Sequence, residues 1–341
     1  IVGNVARVFS LDLAEPNILL PLAISFFTFQ QIAYLADVRQ GHTPERNLVK
    51  YVLFVSFFPQ LIAGPIVHHK QLLPQLNQLQ ERYDSRLLAP AITLILLGLA
   101  KKVLVADSLA FFSEPAFTLA GDRGINGADG WLSLSAYTLQ IYFDFSGYCD
   151  IALGAALLFG IRLPVNFQSP YQSTSIIDYW RRWHITLSNF LRDYVYIPLG
   201  GSQRGKTRRY INLFLTMVVG GLWHGAGWNY LLWGAIHGGY LVFNHLWRAL
   251  NRRFRLVPDG RAWRWTAQAL TLLSVTLAFA YFRAPTIEVA NNLLGAMLTF
   301  TGNGVSDAWA RGVTANAQGD LLALAIQSLG AATTGTVLVM L

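Results

Sequence analysis

Charged residues are scarce in this chain and cysteine is almost absent. Of its 341 residues, 13% are charged and 53% are hydrophobic, whereas about 25% of a typical soluble domain is charged. The single cysteine, Cys149, excludes an internal disulfide framework and any metal site built from several thiolates. The composition therefore predicts an integral membrane protein with no cysteine scaffold.

Several motifs of common catalytic sites are also missing. The sequence has no His-Glu-x-x-His pair and no acidic residue beside His224, so it predicts no metal site. It has no Gly-x-Ser-x-Gly turn, which excludes the usual serine-hydrolase nucleophile. Glycine-rich phosphate loops are absent as well. The chemistry must therefore come from other side chains.

Apolar stretches make up most of the chain. A membrane-spanning helix needs about 20 apolar residues, and seven stretches are typical of spans or parts of spans. We therefore expect an all-α integral membrane protein with one domain over residues 1–341, further N-terminal spans before Ile1, and a C-terminal part, 284–341, with little recognisable pattern. The seven stretches are Ile18–Leu35, Leu87–Leu99, Trp131–Ile161, Tyr210–Trp223, Tyr230–Leu246, Thr266–Phe282 and Leu321–Leu341.

The segment Phe57–Pro65 is apolar but contains two prolines and a glycine. Because proline interrupts the hydrogen bonds of a helix, this segment cannot run as one straight helix. We predict a broken or re-entrant helix, which is tolerated at membrane depth where protein or a water-filled cavity covers it. A simple interfacial loop is the alternative.

The net charge of +8 is concentrated in two short basic stretches, Arg181–Arg209 and Arg248–Arg264. This distribution argues against nucleic-acid binding, and the positive-inside rule places both stretches in the cytoplasm. The ~38 residues between them must then cross the membrane and return to the cytoplasmic side. This length fits two helices of about 20 residues each, with a break at Trp223–Trp228. The arginines could hold the phosphates of a donor or serve only as topology determinants.

Two carboxylates, Asp144 and Asp150, lie inside an apolar stretch. Charged groups at membrane depth usually face a cavity or a basic partner. Six positions apart on a helix, the two side chains lie on different faces, so they do not suggest a paired general acid and base. We expect each carboxylate to pair with an arginine.

The stretch 178–194 is amphipathic, basic and rich in aromatic residues, which is typical of an interfacial helix. Either Ser175 or Asp178 could cap its N-terminus. We expect its aromatic residues to lie at the membrane interface with one wet edge; they are Trp180, Trp183 and Tyr194.

Three histidines remain as candidates for chemistry: His184, His224 and His237. His224 lies between glycines and two apolar runs, and an ionisable side chain kept at membrane depth indicates a functional site. A general base can activate a hydroxyl that is otherwise a poor nucleophile. The sequence therefore favours direct transfer from a thioester donor to a hydroxyl acceptor, without a covalent enzyme intermediate. A packed, hydrogen-bonded imidazole is the alternative.

Five motifs, in order along the chain, resemble the membrane-bound O-acyltransferase family, in particular its bacterial alginate O-acetyltransferase-type branch. The resemblance extends from Pro21 to about His245. The motifs are Ser25–Tyr34, Phe58–Pro65, Tyr142–Tyr148, Asp178–Ser188 and Trp223–Trp228.

The resemblance implies a bundle of many helices with re-entrant segments and a cavity that connects the two membrane faces at the catalytic histidine. It implies that His224 is catalytic, that His184 is the second important position and that His237 lines the substrate path. We also expect substrate-binding roles for five neighbouring residues, which are Trp183, Trp223, Asn229, Arg181 and Arg182.

The resemblance further implies a multi-pass protein of the bacterial inner membrane with no bound cofactor. It would move acetyl groups from cytoplasmic acetyl-CoA to an exported polysaccharide such as alginate, together with an extracytoplasmic acetyltransferase or acetyl-acceptor protein. Cellulose, peptidoglycan and teichoic acid are alternative acceptors. A transporter or channel lined by Asp144, Asp150 and the histidines is a different class of function, but the motifs have no second copy that would indicate inverted repeats.

Overall fold

The computed structural model describes residues 24–61, 64–78, 84–122, 125–257 and 260–299. Within these residues every regular element is a helix. Two π-helical turns, Ala100–Ala106 and Arg192–Tyr196, follow α5 and α9 directly. The α-helices are α1 Ile24–Arg39, α2 Leu48–Ser56, α3 Phe58–Leu61, α4 His69–Asn77, α5 Leu88–Leu99, α6 Asp107–Asp122, α7 Gly127–Leu158, α8 Ile176–Arg182, α9 Ile185–Leu191, α10 Gly205–His224, α11 Trp228–Phe254, α12 Arg261–Arg283 and α13 Ile287–Thr299.

Three helical segments in the described part of the chain are long and apolar enough to cross a membrane: Ser85–Glu114, Gly127–Leu158 and Arg261–Arg283. Each contains or overlaps a span predicted from the sequence. The predicted spans Tyr210–Trp223 and Tyr230–Leu246 are helical, within α10 and α11.

The remaining two predicted spans are described in part or not at all. The first, Ile18–Leu35, is described only from Ile24 onwards and is helical there. The predicted span Leu321–Leu341 lies outside the described residues.

An ion-pair cluster joins the π-helical turn after α5 to α7. Lys101 Nζ lies 2.5 Å from Asp150 Oδ2, and Lys102 Nζ lies 2.9 Å from Asp144 Oδ1 and 2.8 Å from Asp107 Oδ1. The prediction of arginine partners is therefore wrong, because the neighbouring helix presents two adjacent lysines to the carboxylates of α7. The pairing itself is as expected for charges in an apolar segment.

The predicted break near Pro59–Pro65 is confirmed. Helix α2 ends at Ser56, Phe57 is extended, and α3 begins at Phe58 and ends at Leu61. The following residues lead into α4 without helical structure at 65–68. The backbone N–H of Ile66 there donates to Thr186 Oγ1 at 3.0 Å, so the break lies beside α9.

The segment predicted as one interfacial helix consists of α8, α9 and a π-helical turn. The expectation of wet interfacial tryptophans is wrong, since Trp180 and Trp183 are 8% and 4% exposed. Both rings belong to a core cluster that also contains Phe279 of α12. Of the two cap candidates, Ser175 is the N-cap, and its hydroxyl accepts a hydrogen bond from the backbone N–H of Asp178 at 3.2 Å.

Helices α10 and α11 form an antiparallel hairpin, as predicted, with the break at Gly225–Gly227. Their backbones approach closely where Gly221 meets Gly234. A Cβ atom on Gly221 would overlap the carbonyl oxygen of Tyr230 and lie 3.0 Å from the Cα of Gly234. This contact aligns the end of α10, where His224 lies, with the first turns of α11.

Candidate active site

The three histidines predicted from the sequence lie in one aromatic cluster, where they alternate with two tryptophans. The centroid of the Trp223 ring lies 6.1 Å from that of His184 and 4.7 Å from that of His224. The Trp233 centroid lies 5.2 Å from His224 and 4.8 Å from His237. Residues from α9, α10 and α11 thus form a continuous line of rings.

His224 is the last residue of α10. Besides the two tryptophans, Phe282 of α12 packs edge-on against its ring at 5.0 Å. These contacts fix the position of the imidazole. Within the described residues its ring nitrogens form no hydrogen bond, so they remain available to a ligand.

His184 is the N-cap of α9 and has left-handed backbone angles, φ 44° and ψ 54°. This conformation is uncommon for a residue with a Cβ atom, and it separates α8 from α9. The side chain is 2% exposed, and its Nδ1 lies 3.2 Å from Asn166 Oδ1. Its Nε2 is buried with no hydrogen-bond partner in the described part of the chain.

His237 lies within α11 and is 0% exposed. Its Nδ1 accepts a hydrogen bond from Trp180 Nε1 at 3.3 Å. Because indole N–H can only donate, the neutral His237 ring carries its proton on Nε2. That nitrogen is also buried without a partner among the described residues. His237 is therefore a hydrogen-bond donor in its neutral form.

A small cavity of about 30 Å³ lies against His184 and His224, which is room for about one water molecule. Four buried nitrogens have no partner in the described residues and lie in this ring cluster: His184 Nε2, His237 Nε2, Trp223 Nε1 and Trp233 Nε1. Buried polar atoms are normally hydrogen-bonded, and such exceptions mark ligand or water positions. Trp183 also lines the cavity; the remaining lining residues are Phe26, Ile141, Phe145, Phe279 and Phe282.

A second, larger cavity of about 820 Å³ is lined by both basic stretches. The two stretches, which the sequence predicts on the same side of the membrane, therefore lie close together. Among the described residues its lining contains no carboxylate, and Arg209 Nη2 lies 3.1 Å from His245 Nδ1. His245 lies eight positions after His237 on α11, about 12 Å along the helix. The cationic lining residues are Arg181, Lys206, Arg209, Arg248, Arg252 and Arg264.

Residues 45–284 match the family model of the membrane-bound O-acyltransferases, MBOAT. The chain belongs to this family. The matched region contains all three histidines of the ring cluster and both basic stretches.

Bacterial acyltransferases are among the relatives of this MBOAT chain. It is 42% identical to a peptidoglycan O-acetyltransferase of Helicobacter pylori, over 85% of this chain and 58% of the relative. It is 44% identical to a probable alginate O-acetylase of Pseudomonas putida, over 83% and 56%. A teichoic acid D-alanyltransferase of Streptococcus thermophilus is 27% identical, over 76% and 68%. The chain thus spans little more than half the length of the first two relatives.

The predicted substrate-binding residues of this MBOAT chain lie in different places. Trp183 and Trp223 line the small cavity, and Arg181 lines the basic one. Arg182 instead pairs with Asp178 at 3.0 Å. Asn229 is buried and donates from Nδ2 to the carbonyl of Ala284 at 3.0 Å, which ties the start of α11 to the end of α12.

Several residues at the site were not predicted: Trp233 and Phe282 in the ring cluster, and Asn166, which contacts His184. Phe282 and Trp233 reach the site through packing between α11 and α12, and nothing in their local sequence marks them. In the described residues, no group of three or more His, Cys, Asp or Glu side chains is placed to hold a metal ion.

Proposed function

We propose that this chain is the membrane-embedded part of an O-acetyltransferase that transfers an acetyl group from a thioester donor to a hydroxyl of an exported cell-envelope polysaccharide. The observation that carries the proposal is the cavity between His184 and His224, where buried ring nitrogens lack partners. Membership of the MBOAT family supports the reaction class.

In the proposed reaction the acceptor hydroxyl oxygen attacks the carbonyl carbon of the thioester. His224 takes the hydroxyl proton as general base, the new C–O bond forms and the C–S bond breaks. The departing thiolate takes this proton from His224, so the products are an ester and a free thiol. A positioned base of this kind accelerates transfer about 10²–10⁴-fold. No covalent enzyme intermediate is required.

The basic cavity is the proposed site for the charged part of the donor, with acetyl-CoA as the donor. Its six cationic side chains suit a ligand with several phosphates. Helix α11 connects this cavity to the ring cluster, because His245 lines the cavity and His237, on the same helix, lies in the cluster. On α8, Arg181 lines the cavity and its neighbour Trp180 packs against His237. A thioester arm could follow these helices to His224.

Alginate is the proposed acceptor, with peptidoglycan, cellulose or teichoic acid as alternatives. Relatives named for alginate and peptidoglycan match at 44% and 42% identity, so similarity does not separate these two. An extracytoplasmic acetyltransferase or acetyl-acceptor protein and a location in the bacterial inner membrane belong to the same proposal.

A transport function has weaker support. Asp144 and Asp150 are each paired with a lysine, and the histidines lie in a separate aromatic cluster. The charged groups and the imidazoles therefore do not form one polar pathway in the described residues.

The test is acetyl transfer from acetyl-CoA in membranes that contain the whole protein with single substitutions. His224→Ala should lower the rate about 10²–10⁴-fold, because the proton acceptor is lost. His184→Ala should also lower it, and His237→Ala should have the smallest effect. His42→Ala, which removes an exposed histidine, is the matched control. A His224→Ala protein that is present at normal levels and transfers acetyl groups normally would overturn the assignment.

A further inference from the structure

Asn166 lies in the connection between α7 and α8 and is 1% exposed. Its Oδ1 accepts hydrogen bonds from the backbone N–H of Thr186 at 3.1 Å and from Thr186 Oγ1 at 3.0 Å. The same oxygen lies 3.2 Å from His184 Nδ1. On its other side, Asn166 Nδ2 donates to Cys149 Sγ at 3.4 Å. All the polar atoms of this side chain are therefore engaged.

These contacts determine the orientation of the amide. A backbone N–H can only donate, so the atom that faces the N–H of Thr186 must be the amide oxygen. The hydroxyl of Thr186 is consistent with this orientation, because it accepts from the N–H of Ile66 at 3.0 Å and has its own proton to give to Asn166.

The orientation of the amide in turn determines the tautomer of His184. An amide oxygen carries no proton, so the hydrogen bond between Asn166 and His184 requires a proton on Nδ1. A neutral imidazole has one N–H, and Nε2 is therefore left with a lone pair. This nitrogen is buried beside the small cavity and has no partner in the described residues.

Asn166 also holds the backbone around His184. Its carbonyl oxygen accepts from the N–H of Ile185 at 3.0 Å, directly after the left-handed residue. Non-glycine residues in this region of backbone space cost about 1–3 kcal/mol and persist when their surroundings over-determine them. The two backbone N–H groups that follow His184 are both satisfied by Asn166.

We propose that Asn166 is a positioning residue that holds His184 as the Nδ1–H tautomer, so that Nε2 offers a lone pair to the cavity shared with His224. The proposal rests on the proposed function. When His224 takes the proton of the acceptor hydroxyl, its imidazolium gains a second N–H. The new N–H faces the acceptor oxygen and the thiolate that later takes this proton. His184 Nε2 is the hydrogen-bond acceptor for the other N–H of His224, directly or through the one water for which the cavity has room.

His237 cannot supply this acceptor from the same tautomer, because its Nδ1 is occupied by Trp180. The other titratable group that interacts electrostatically with His184 is His224 itself. Asn166 therefore acts on His224 through His184. Its role is to fix the proton of His184 on Nδ1, so that the lone pair of Nε2 faces the cavity.

The test combines two substitutions at Asn166 with pH profiles of acetyl transfer in the whole protein. Asn166→Ala should lower kcat about 10–100-fold, by analogy with residues that orient metal-ligating histidines, while the KM for acetyl-CoA stays unchanged. Asn166→Asp keeps the acceptor oxygen and the shape. Its negative charge favours a protonated His184, so the acid limb of the profile should move up by about one to three pH units, with activity restored at higher pH.

Asn212→Ala is the matched control. Asn212 is as buried as Asn166, and its amide donates to backbone carbonyls of Leu199 and Gly201. Its loss should lower the thermal stability without moving the pH profile.

A wild-type kcat in Asn166→Ala, or a pH profile of Asn166→Asp that overlays the wild type, would overturn the proposal. If Asn166→Ala does not fold, the Asn166→Asp profile decides alone. Full activity of His184→Ala would instead contradict the proposed role of His184, which distinguishes failure of the proposed site from failure of the role of Asn166.

Discussion

Single histidines in this chain differ in which ring nitrogen they present, and the difference comes from their hydrogen-bond partners. His184 faces an amide oxygen, whereas His237 faces an indole N–H. The two neutral rings therefore carry their protons on opposite nitrogens. His224 lies between them in the ring cluster without a described hydrogen bond. Its ring nitrogens are therefore available to a substrate, which fits the role of the base, and the other two rings fit supporting roles.

A separate group of titratable residues, the Asp37 cluster, consists of Asp37, His68, His69, Lys70 and Tyr194. Lys70 Nζ and the Tyr194 hydroxyl each lie 2.9 Å from Asp37, and His69 Nδ1 lies 3.6 Å from it. Burial raises the pKa of Asp37, but the bonds from Lys70 and Tyr194 outweigh it and hold the pKa below the usual 3.8. Burial lowers the pKa of both histidines below 6.5, against the attraction of Asp37.

This cluster predicts acid sensitivity that begins with the histidines. Below pH 6.5, their ordinary pKa, the unfolded chain binds protons on His68 and His69 before the folded protein does, so the free energy of unfolding falls as the pH falls. Asp37 contributes to this acid sensitivity only at lower pH. Its contribution to the stability of the folded protein is complete above its usual pKa of 3.8 and is lost as the pH falls below that value.

Thermal unfolding of the purified protein in detergent at pH 7 and pH 5 measures this effect. The double variant His68→Gln/His69→Gln should lose less stability between the two pH values than the wild type, and His42→Gln should lose as much as the wild type. A double variant as acid-sensitive as the wild type would show that other groups are responsible.

At the scale of the helices, close backbone contacts and the breaks between helices position the residues of the site. The hairpin of α10 and α11 requires glycine at Gly221, where a Cβ atom would overlap the backbone of α11. Gly239, on α11, has open space around its Cβ position. The two glycines therefore form a matched pair, one needed for packing and one not.

Gly221→Ala should destabilise the protein by about 1–3 kcal/mol, the usual cost of overpacking, and should displace His224. Gly239→Ala should be neutral or stabilising, because alanine is up to about 1 kcal/mol better than glycine in a helix. Thermal unfolding and acetyl transfer of the two variants provide the comparison. Equal stabilities would contradict the tight α10–α11 contact.

The sequence was informative about elements that depend on local pattern. Proline and glycine positions predicted the break after α2, and the glycines around His224 predicted the break between α10 and α11. The apolar stretches predicted the helices, although α8 and α9 were expected to be one. That stretch is divided because His184 adopts left-handed backbone angles. Asn166, which is distant in the sequence, holds the backbone there, so the local sequence around His184 does not predict the division.

Partners distant in the sequence were predicted less well. Asp144 and Asp150 clearly needed cations, but only the packing of α5 against α7 determines that Lys102 and Lys101 supply them. Burial of Trp183 depends likewise on α12, which supplies Phe279. Asn166 has no local signal at all, because its role is defined by the side chains that surround it.

On the scale of the whole molecule, both basic stretches line one cavity, and from the positive-inside rule we expect this cavity to face the cytoplasm. Single cysteines at Ser202 and Gly260, in a background with Cys149→Ala, should both resist an impermeant thiol reagent added to intact cells and react after permeabilisation. If either cysteine were labelled in intact cells, the orientation would be the opposite of the one expected, and the proposed donor site would lie outside the cell.

We propose that the protein transfers acetyl groups from a thioester bound on the basic side of the membrane to an acceptor hydroxyl, with His224 as the general base. The most direct measurement uses sealed vesicles that contain the whole protein, with labelled acetyl-CoA only on the basic side and the polysaccharide with its candidate partner protein on the other side. We expect labelled ester on the far side with the wild type, about 10²–10⁴-fold less with His224→Ala, and unchanged transfer with His42→Ala. Equal transfer by His224→Ala, or no transfer by the wild type, would contradict the account.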